Sequence, residues 1–395
     1  EKHMQPGQLL GRLLLQFDSN AADVPEDLSA AVHGPDGKLW VAADEAGMIE
    51  RLTPAEPRIY GQHKRFHVGD FIGAVDKDAE IDIEALDAHS GYLWLVGSHS
   101  AKRKKPKGQA IEKDLERLAT VEHAPQRFVF ARIPFVNGEL AAELKTDGSK
   151  KGSRVAARVK PAEKEGRGKA AQAGGKAKKG NGGEVLPGEN LLMELLRRDP
   201  HFGPFLARPP GKGTGVLAIP SKDNGLDIEG LVVADTDRVF LGLRGPVLRG
   251  YAALLDMRLK DVGNGHLEPR LGKKGSRFAK HFLHLDGLGI RELCVQGKDL
   301  LVLAGPTLPV EAPIRLFRVR NFLDLEGDSV IDTKKGVLEP LFDIPQAGAL
   351  DHAEGVANFN YFDESDSVLV VYDDPAPQRR YGPCGVFADV FRLTS

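Results

Sequence analysis

The sequence predicts an all-β fold, a β-propeller of five blades closed by its N-terminal strand. Three observations carry that expectation. First, a pair of short strand-like runs recurs along the chain. The clearest copy is Asp227-Ile-Glu-Gly-Leu-Val-Val followed by Asp237-Arg-Val-Phe-Leu-Gly-Leu-Arg-Gly-Pro246. Weaker copies are Asp82-Ile-Glu-Ala-Leu with Tyr92-Leu-Trp-Leu-Val-Gly97, Gly289-Ile-Arg-Glu-Leu with Asp299-Leu-Leu-Val-Leu-Ala304, and His352-Ala-Glu-Gly-Val with Ser367-Val-Leu-Val-Val-Tyr372. Asp27-Leu-Ser-Ala-Ala-Val with Lys38-Leu-Trp-Val-Ala-Ala43 fits the same frame. Second, the aligned positions Leu28, Ile83, Ile228, Ile290 and Ala353 stand 55, 145, 62 and 63 residues apart. A period of this size with about four strand-like runs per copy suits radial sheets rather than a helical solenoid. Third, 45 glycines and 25 prolines in 395 residues supply the turns that many short strands need.

Taken in order, Gln8 to Phe17 reads as a single strand standing ahead of the first repeat. The last copy has only about three strands before the chain ends, so this leading strand is its natural fourth. The first blade runs from Leu28, with Pro35-Asp-Gly37 as a turn, and Met48 to Leu52 and Arg58 to Val68 as its outer strands. The second blade starts at Ile83 and carries a basic loop, 101–124, in which Ile111 to Val121 has helical spacing. Arg127 to Phe135 and Gly138 to Leu144 return as strands. Residues 145–183 hold twelve Lys or Arg against three Asp or Glu and no aromatic residue. Such a composition cannot offset its ordering entropy, so the segment is expected to be disordered. Glu189 to Arg198 then reads as a short amphipathic helix stopped by Pro200. Setting these insertions aside brings the 145-residue gap down to one normal period. A sixth blade between Ala101 and Gly225 is the alternative, but no strand set there would build it. Residues 8–395 thus form one domain with two insertions.

Composition excludes several classes. No apolar run approaches the roughly 20 residues of a membrane span, and two cysteines, Cys294 and Cys384, make no disulfide framework. Without a signal-like apolar stretch, the compartment stays open between cytoplasm and periplasm. The formal net charge of -2 conceals +9 in residues 145–183 and therefore -11 elsewhere. The basic segments lack interleaved aromatics for base stacking, so nucleic acid is not an expected partner. His63 and His67 lie on one face of a strand but roughly 13 Å apart, too far to share a metal. Gly211-Lys-Gly-Thr-Gly215 lacks the spacing of a phosphate-cradling loop.

In an antiparallel blade, the start of strand one and the end of strand two share an edge, so these residues converge from all blades onto one mouth of the central channel. The positions opening strand one are Ser29, Glu84, Glu229, Arg291 and Glu354. Strand-two ends add Asp44, Glu45, Ser98, His99, Arg244, Thr307, Asp373 and Asp374. Carboxylates gathered at close range repel unless a cation, a proton or an arginine intervenes. Glu84, Glu229 and Glu354 are therefore the candidate metal ligands, and all-oxygen ligation favours Ca2+ over Zn2+. Arg244, Arg291, His99 and Asp373 are the candidate substrate contacts. A plainer role exists for each Glu, accepting backbone hydrogen bonds from the next blade, and for Arg244, an internal ion pair with Glu229.

The copies Asp227-Ile-Glu-Gly-Leu with Gly242-Leu-Arg-Gly-Pro246, and His352-Ala-Glu-Gly-Val, resemble a bacterial propeller family catalogued as a domain of unknown function. The likeness covers most of the chain outside 145–183. The Glu-Gly step also resembles phytase-like esterase and gluconolactonase-type propellers, which implies an acidic residue at the channel mouth that helps hold a divalent cation. Two functions are open on this reading. One is a propeller that binds or hydrolyses a small anionic substrate (a phosphate ester, lactone or sugar acid) with a metal's help. The other is a non-catalytic scaffold for a protein or polyanion. A monomer is expected.

Overall fold

The computed structural model describes residues 4–43, 47–73, 80–108, 110–145, 153–162, 186, 188–207, 216–272, 275–346 and 351–393. Each sequence copy becomes an antiparallel sheet of four strands, ordered from the channel outward. The first comprises Leu28–His33, Leu39–Ala43, Met48–Glu56 and Ile59–His67. The second comprises Ile83–His89, Tyr92–Gly97, Phe130–Val136 and Ala157–Val159. The third is Asp227–Ala234, Arg238–Gly245, Tyr251–Gly263 and Ala279–His284, and the fourth Gly289–Gln296, Asp299–Gly305, Arg315–Val319 and Leu338–Asp343. The last is His352–Asn358, Ser367–Asp373 and Gly385–Arg392, completed by Leu9–Gln16 from the other end of the chain. The inner strands follow one another round a ring, each packed on the next and the last on the first. This is a β-propeller.

Separate apolar cores fill the seams between successive sheets, which is why alternate residues on both faces of these strands are hydrophobic. Trp40 and Ile83 meet in the first seam, Trp94 and Ile228 in the second, Phe240 and Ile290 in the third. The fourth seam joins Leu303 to Val356, and the closing seam joins Leu13 and Leu15 to Leu28 and Val371. The leading strand thus seals the ring. Its main ladder runs to Gly385–Arg392, and a two-residue parallel contact, Leu14 with Ile59 and Leu15 with Tyr60, ties it to the first sheet as well.

The expectation of disorder across 145–183 is corrected for residues 153–162. Ser153–Val155 pairs with Glu143–Lys145, and Ala157–Val159 pairs with Phe130–Val136 on one side and His266–Pro269 on the other. Ala157 and Val159 are buried in the second seam. Two buried residues, Ala157 and Val159, in a Lys/Gly-rich run suffice here, because the neighbouring strands supply the ladder that composition could not. The rest of that segment, residues 146–152 and 163–183, lies outside the described residues. Ile111–Ala119 and Leu191–Arg198 are helices as expected. In the second helix, the Asn190 side chain accepts from the Met193 backbone N–H, a cap that fixes where it starts.

Candidate functional site

All five inner strands carry a β-bulge at the same place. The ladder skips one residue between Leu28 and Ala30, Ile83 and Ala85, Ile228 and Gly230, Ile290 and Glu292, and Ala353 and Gly355. The skipped residues are Ser29, Glu84, Glu229, Arg291 and Glu354, the positions that sequence alignment puts at the mouth. An extra residue in one strand breaks the alternation and re-aims its side chain. The next residue is small where the following sheet crowds it. A Cβ on Gly230 would come within 2.7 Å of Leu293 Cγ, and one on Gly355 within 3.1 Å of the Ala31 backbone N. The Glu-Gly step is therefore a bulged acid followed by a residue that lets the neighbouring sheet close in.

Three carboxylates converge. Glu84, Asp227 and Glu229 offer oxygens that all lie within 4.8 Å of one another. Asp227 and Glu229 are buried, 3% and 2% exposed, and Asp227 Oδ1 and Glu229 Oε2 have no hydrogen-bond partner among the described residues. Arg244 Nη1 lies 2.6 Å from Glu229 Oε1 and 3.6 Å from Asp227 Oδ2. Burial pushes the Asp227 carboxyl well above its ordinary range, and the Glu229 charge adds to that. Burial also raises Glu229, with Arg244 opposing. For Arg244, burial disfavours the charge, but Glu229 and Asp227 more than offset this and raise its pKa. The site therefore carries more acid than one guanidinium neutralises.

Two flanking groups complete the mouth. On one side Arg127 bridges Glu80 and Asp82, 2.8 Å from Asp82 Oδ2, and the Ser98 hydroxyl donates to the same Asp82 oxygen. Burial still raises the Asp82 pKa. On the other side Arg291 pairs with Glu354. Burial, Glu354 and Asp27 push Asp373 up to about 7. Arg244 Nε and Arg291 Nη2 both donate to the Pro306 carbonyl, at 3.2 and 3.5 Å, which draws the two guanidiniums together.

The expected site residues are therefore sorted by the structure. Glu84 and Glu229 share the carboxylate cluster, but Glu354 does not belong to it, because Arg291 holds its carboxylate; Asp227 takes the third place. Arg244 and Arg291 reach the mouth as internal counter-charges rather than as open substrate clamps. His99 is corrected outright. It is 1% exposed, its Nδ1–H donates to the Gly97 carbonyl at 2.7 Å, and its Nε2 accepts from Asn190 Nδ2 at 2.9 Å. The ring stacks on Phe128, and burial lowers its pKa to about 4, so it stays neutral inside the fold. Asp373 stands on the rim, half-buried. Ser29 donates to the Ile83 carbonyl at 2.6 Å, a seam contact. Asp44 and Glu45 lie outside the described residues.

Two other acids accept backbone hydrogen bonds from a neighbouring sheet. Asp87 Oδ2 accepts from the Val233 backbone N–H at 2.6 Å, and Glu292 bonds the Leu231 backbone as well as its own neighbour Leu293. These two carboxyls, Glu292 buried and Asp87 half-buried, pin the second and fourth sheets to the inner strand of the third. Burial raises Asp87 to about 6 and Glu292 well above its ordinary range. Asp227 was missed although a signal for it was present: Asp27, Asp82 and Asp227 open three of the repeat copies at the same position.

Fold and mouth together define a β-propeller with a carboxylate-lined opening to its central channel. The chain belongs to the family described as "Protein of unknown function (DUF3616)", whose model matches residues 27–389, so the resemblance to a propeller family of that description holds. Comparison with curated proteins finds no match. Solved structures similar to the chain include virginiamycin B lyase from Staphylococcus aureus, at 11% identity over 97% of this chain and 99% of that one with a TM-score of 0.37. Another is the PQQ-bound aldose sugar dehydrogenase from Streptomyces coelicolor, at 12% identity over 97% of each chain with a TM-score of 0.39. Likenesses this distant bring no substrate or residue role to the present chain.

Proposed function

We propose that the channel mouth binds a divalent cation through Glu84, Asp227 and Glu229, and that the protein uses it to bind or hydrolyse a small oxygen-rich anion such as a phosphate ester or sugar acid. One observation carries the reading: three carboxylates from two neighbouring sheets meet within 4.8 Å, and two of their buried oxygens lack a partner. Leaving buried acceptors unpaired costs about 1–3 kcal/mol each, and a hard cation with oxygen ligands relieves that cost directly. Carboxylate-only ligation suits Ca2+ best among common cations. With Arg244 and Arg291 already engaged, the substrate's charge would meet the metal rather than a guanidinium. A bound cation can polarise the substrate and lower the pKa of a water. Asp373, held near 7 on the same rim, is suited to take up or release a proton at neutral pH.

The test is thermal melting of the chelator-treated protein with Ca2+, Mg2+ or Mn2+. At a hundredfold excess over Kd a bound ion stabilises by about 2.7 kcal/mol. Glu84→Gln, which leaves the Arg244 pair intact, should abolish most of that rise. No response of the wild type to any of the three ions sinks the metal reading. The non-catalytic scaffold is the second reading, favoured by the internal engagement of both arginines and of His99.

A further inference from the structure

The insertion in the second sheet presents its helix the wrong way round for a soluble protein. Ile111, Leu115 and Leu118 are 73%, 61% and 44% exposed, and no residue of the helix is buried. They recur at i, i+4 and i+7, which places them on one stripe. The polar residues hold the helix down instead. Arg103 donates to the Leu118 carbonyl and, through Nε, to Asp223 Oδ2 at 2.7 Å. Arg117 Nε donates to the Lys105 carbonyl at 2.5 Å, and the Lys107 backbone N–H donates to Asp114 Oδ1 at 2.9 Å. A nine-residue helix is too short to persist alone in water, so these tethers keep it folded while its apolar stripe faces solvent. The adjoining segment, tied on by Ser221 N to the Ala101 carbonyl, exposes Val216 and Leu217 as well. Five of the sixteen exposed large apolar residues among those described thus belong to this insertion and the segment tied to it.

We propose that this helix is a membrane-surface contact that seats its stripe in the headgroup region of an anionic bilayer. Charge selects that occupant. Residues 101–124 carry seven Lys or Arg against four Asp or Glu; Lys102, Arg103 and Lys104 pair with Glu80, Asp223 and Glu122, which leaves Lys105 and Lys107 as the basic flank. The run Lys102-Arg-Lys-Lys-Pro-Lys107 lies along one side of the helix, fixed there by the contacts of Lys105 and Lys107. An apolar stripe beside a basic flank is the pattern of an interfacial helix, and each lysine near anionic lipid adds to binding. The acidic residues do not oppose this strongly. Glu122 pairs with Lys104 at 3.2 Å, Asp114 is occupied by the Lys107 backbone, and Glu112 and Glu116 sit roughly 100° and 140° round the helix from Ile111. That same placement disfavours a second copy of the chain, since antiparallel pairing of two such helices would set the Glu112 and Glu116 flanks against each other. Residues 163–185 contain no Leu, Ile, Met or aromatic residue with which to cover the stripe. The insertion leaves the end of Tyr92–Gly97, the edge that also carries Glu84, so docking turns the channel mouth toward the lipid.

The full chain should co-sediment with vesicles of phosphatidylcholine containing 30% phosphatidylglycerol, and far less with phosphatidylcholine alone or at high salt. Leu115→Gln with Leu118→Gln should weaken that binding about tenfold, equivalent to roughly 1.4 kcal/mol. Both positions are exposed, so the melting temperature should not change. Leu115→Trp gives a local reporter, because Trp40 and Trp94 are buried at 0% and 2% exposure; its emission should shift to the blue with the anionic vesicles. Absence of vesicle binding overturns the proposal. So does binding that the two Gln substitutions leave unchanged, or a dimer in sedimentation velocity that they abolish, which would assign the stripe to a second copy.

Discussion

Arg244→Leu is the sharpest probe of how the mouth is held together. The guanidinium lies 2.6 Å from Glu229 and 3.6 Å from Asp227, both nearly inaccessible to water. At an effective dielectric constant of 20 those distances give roughly 6 and 5 kcal/mol of gross attraction. Desolvation of the three ions offsets much of that, and removing one partner of a buried pair typically costs about 3–5 kcal/mol net. An unfolding entropy of roughly 2.1 cal/mol/K per residue, taken over the whole chain, converts this into a drop in Tm of roughly 4–6 °C. The loss must also depend on pH. Without the guanidinium the folded-state pKa values of Asp227 and Glu229 rise further. A raised carboxyl costs nothing below its unfolded pKa, where it is protonated in both states. Its penalty grows as pH climbs toward the folded value. Differential scanning calorimetry should therefore find a larger deficit at pH 8 than at pH 5, and adding Glu229→Gln should recover part of it. A deficit under a degree, or one equal at both pH values, refutes the claim that Arg244 is the counter-charge of this cluster.

Four further outcomes rest on other parts of the fold. Asp373, raised from 3.8 to about 7, contributes stability that is present at low pH and lost as pH rises from about 4 to 7; a shift of roughly three units is on the order of 4 kcal/mol. Asp373→Asn should flatten that part of the urea-denaturation profile between pH 4 and 7 relative to wild type. Deleting the chain through residue 17 strips Leu13, Leu15 and Phe17 from the closing seam, each worth roughly 1.5–3 kcal/mol, and should abolish the cooperative melting transition; a truncated chain that still melts sharply near the wild-type temperature would show that the ring closes without its leading strand. Val159→Asp, which buries a charge in the second seam, should lower Tm by several degrees, whereas replacing residues 163–183 with a short Gly/Ser loop should change stability by only about a kcal/mol, because closure entropy varies slowly with length.

Much of the mouth was legible because the fold repeats. Aligning the copies by their inner-strand hydrophobics placed Glu84, Glu229, Arg291 and Glu354 at equivalent positions, and the structure puts all of them at the bulge. Alignment could not say which of them would be neighbours, since that depends on which sheets adjoin and how far each bulge turns its side chain. Glu354 lost its expected place to Asp227 for this reason: Arg291, from the adjoining sheet, lies closer to Glu354 than the cluster does. His99 misled because its position at a strand-two end is the right one, yet its φ of 54° and the packing of Phe128 turn the ring inward. The strand Ala157–Val159 was invisible because composition averages over a window, and three residues that complete someone else's ladder do not alter the average.

The repeat, the strand pairs within each copy and the closure of the ring by Leu9–Gln16 were readable from local periodicity and a count of strands. Within a copy, short-range pattern is enough because the hydrogen-bond ladder of a hairpin joins residues close in the chain; the closing pair, Leu9–Gln16 with Gly385–Arg392, joins opposite ends of the chain and follows only from the strand count. Packing in three dimensions settled the rest: which carboxylates meet, which arginine neutralises which acid, and that Asp87 and Glu292 pin the sheets. Those outcomes rest on distances of a few ångströms between residues up to 150 positions apart, and on burial that raises a charge's cost according to what surrounds it, neither of which is written in any single stretch of chain.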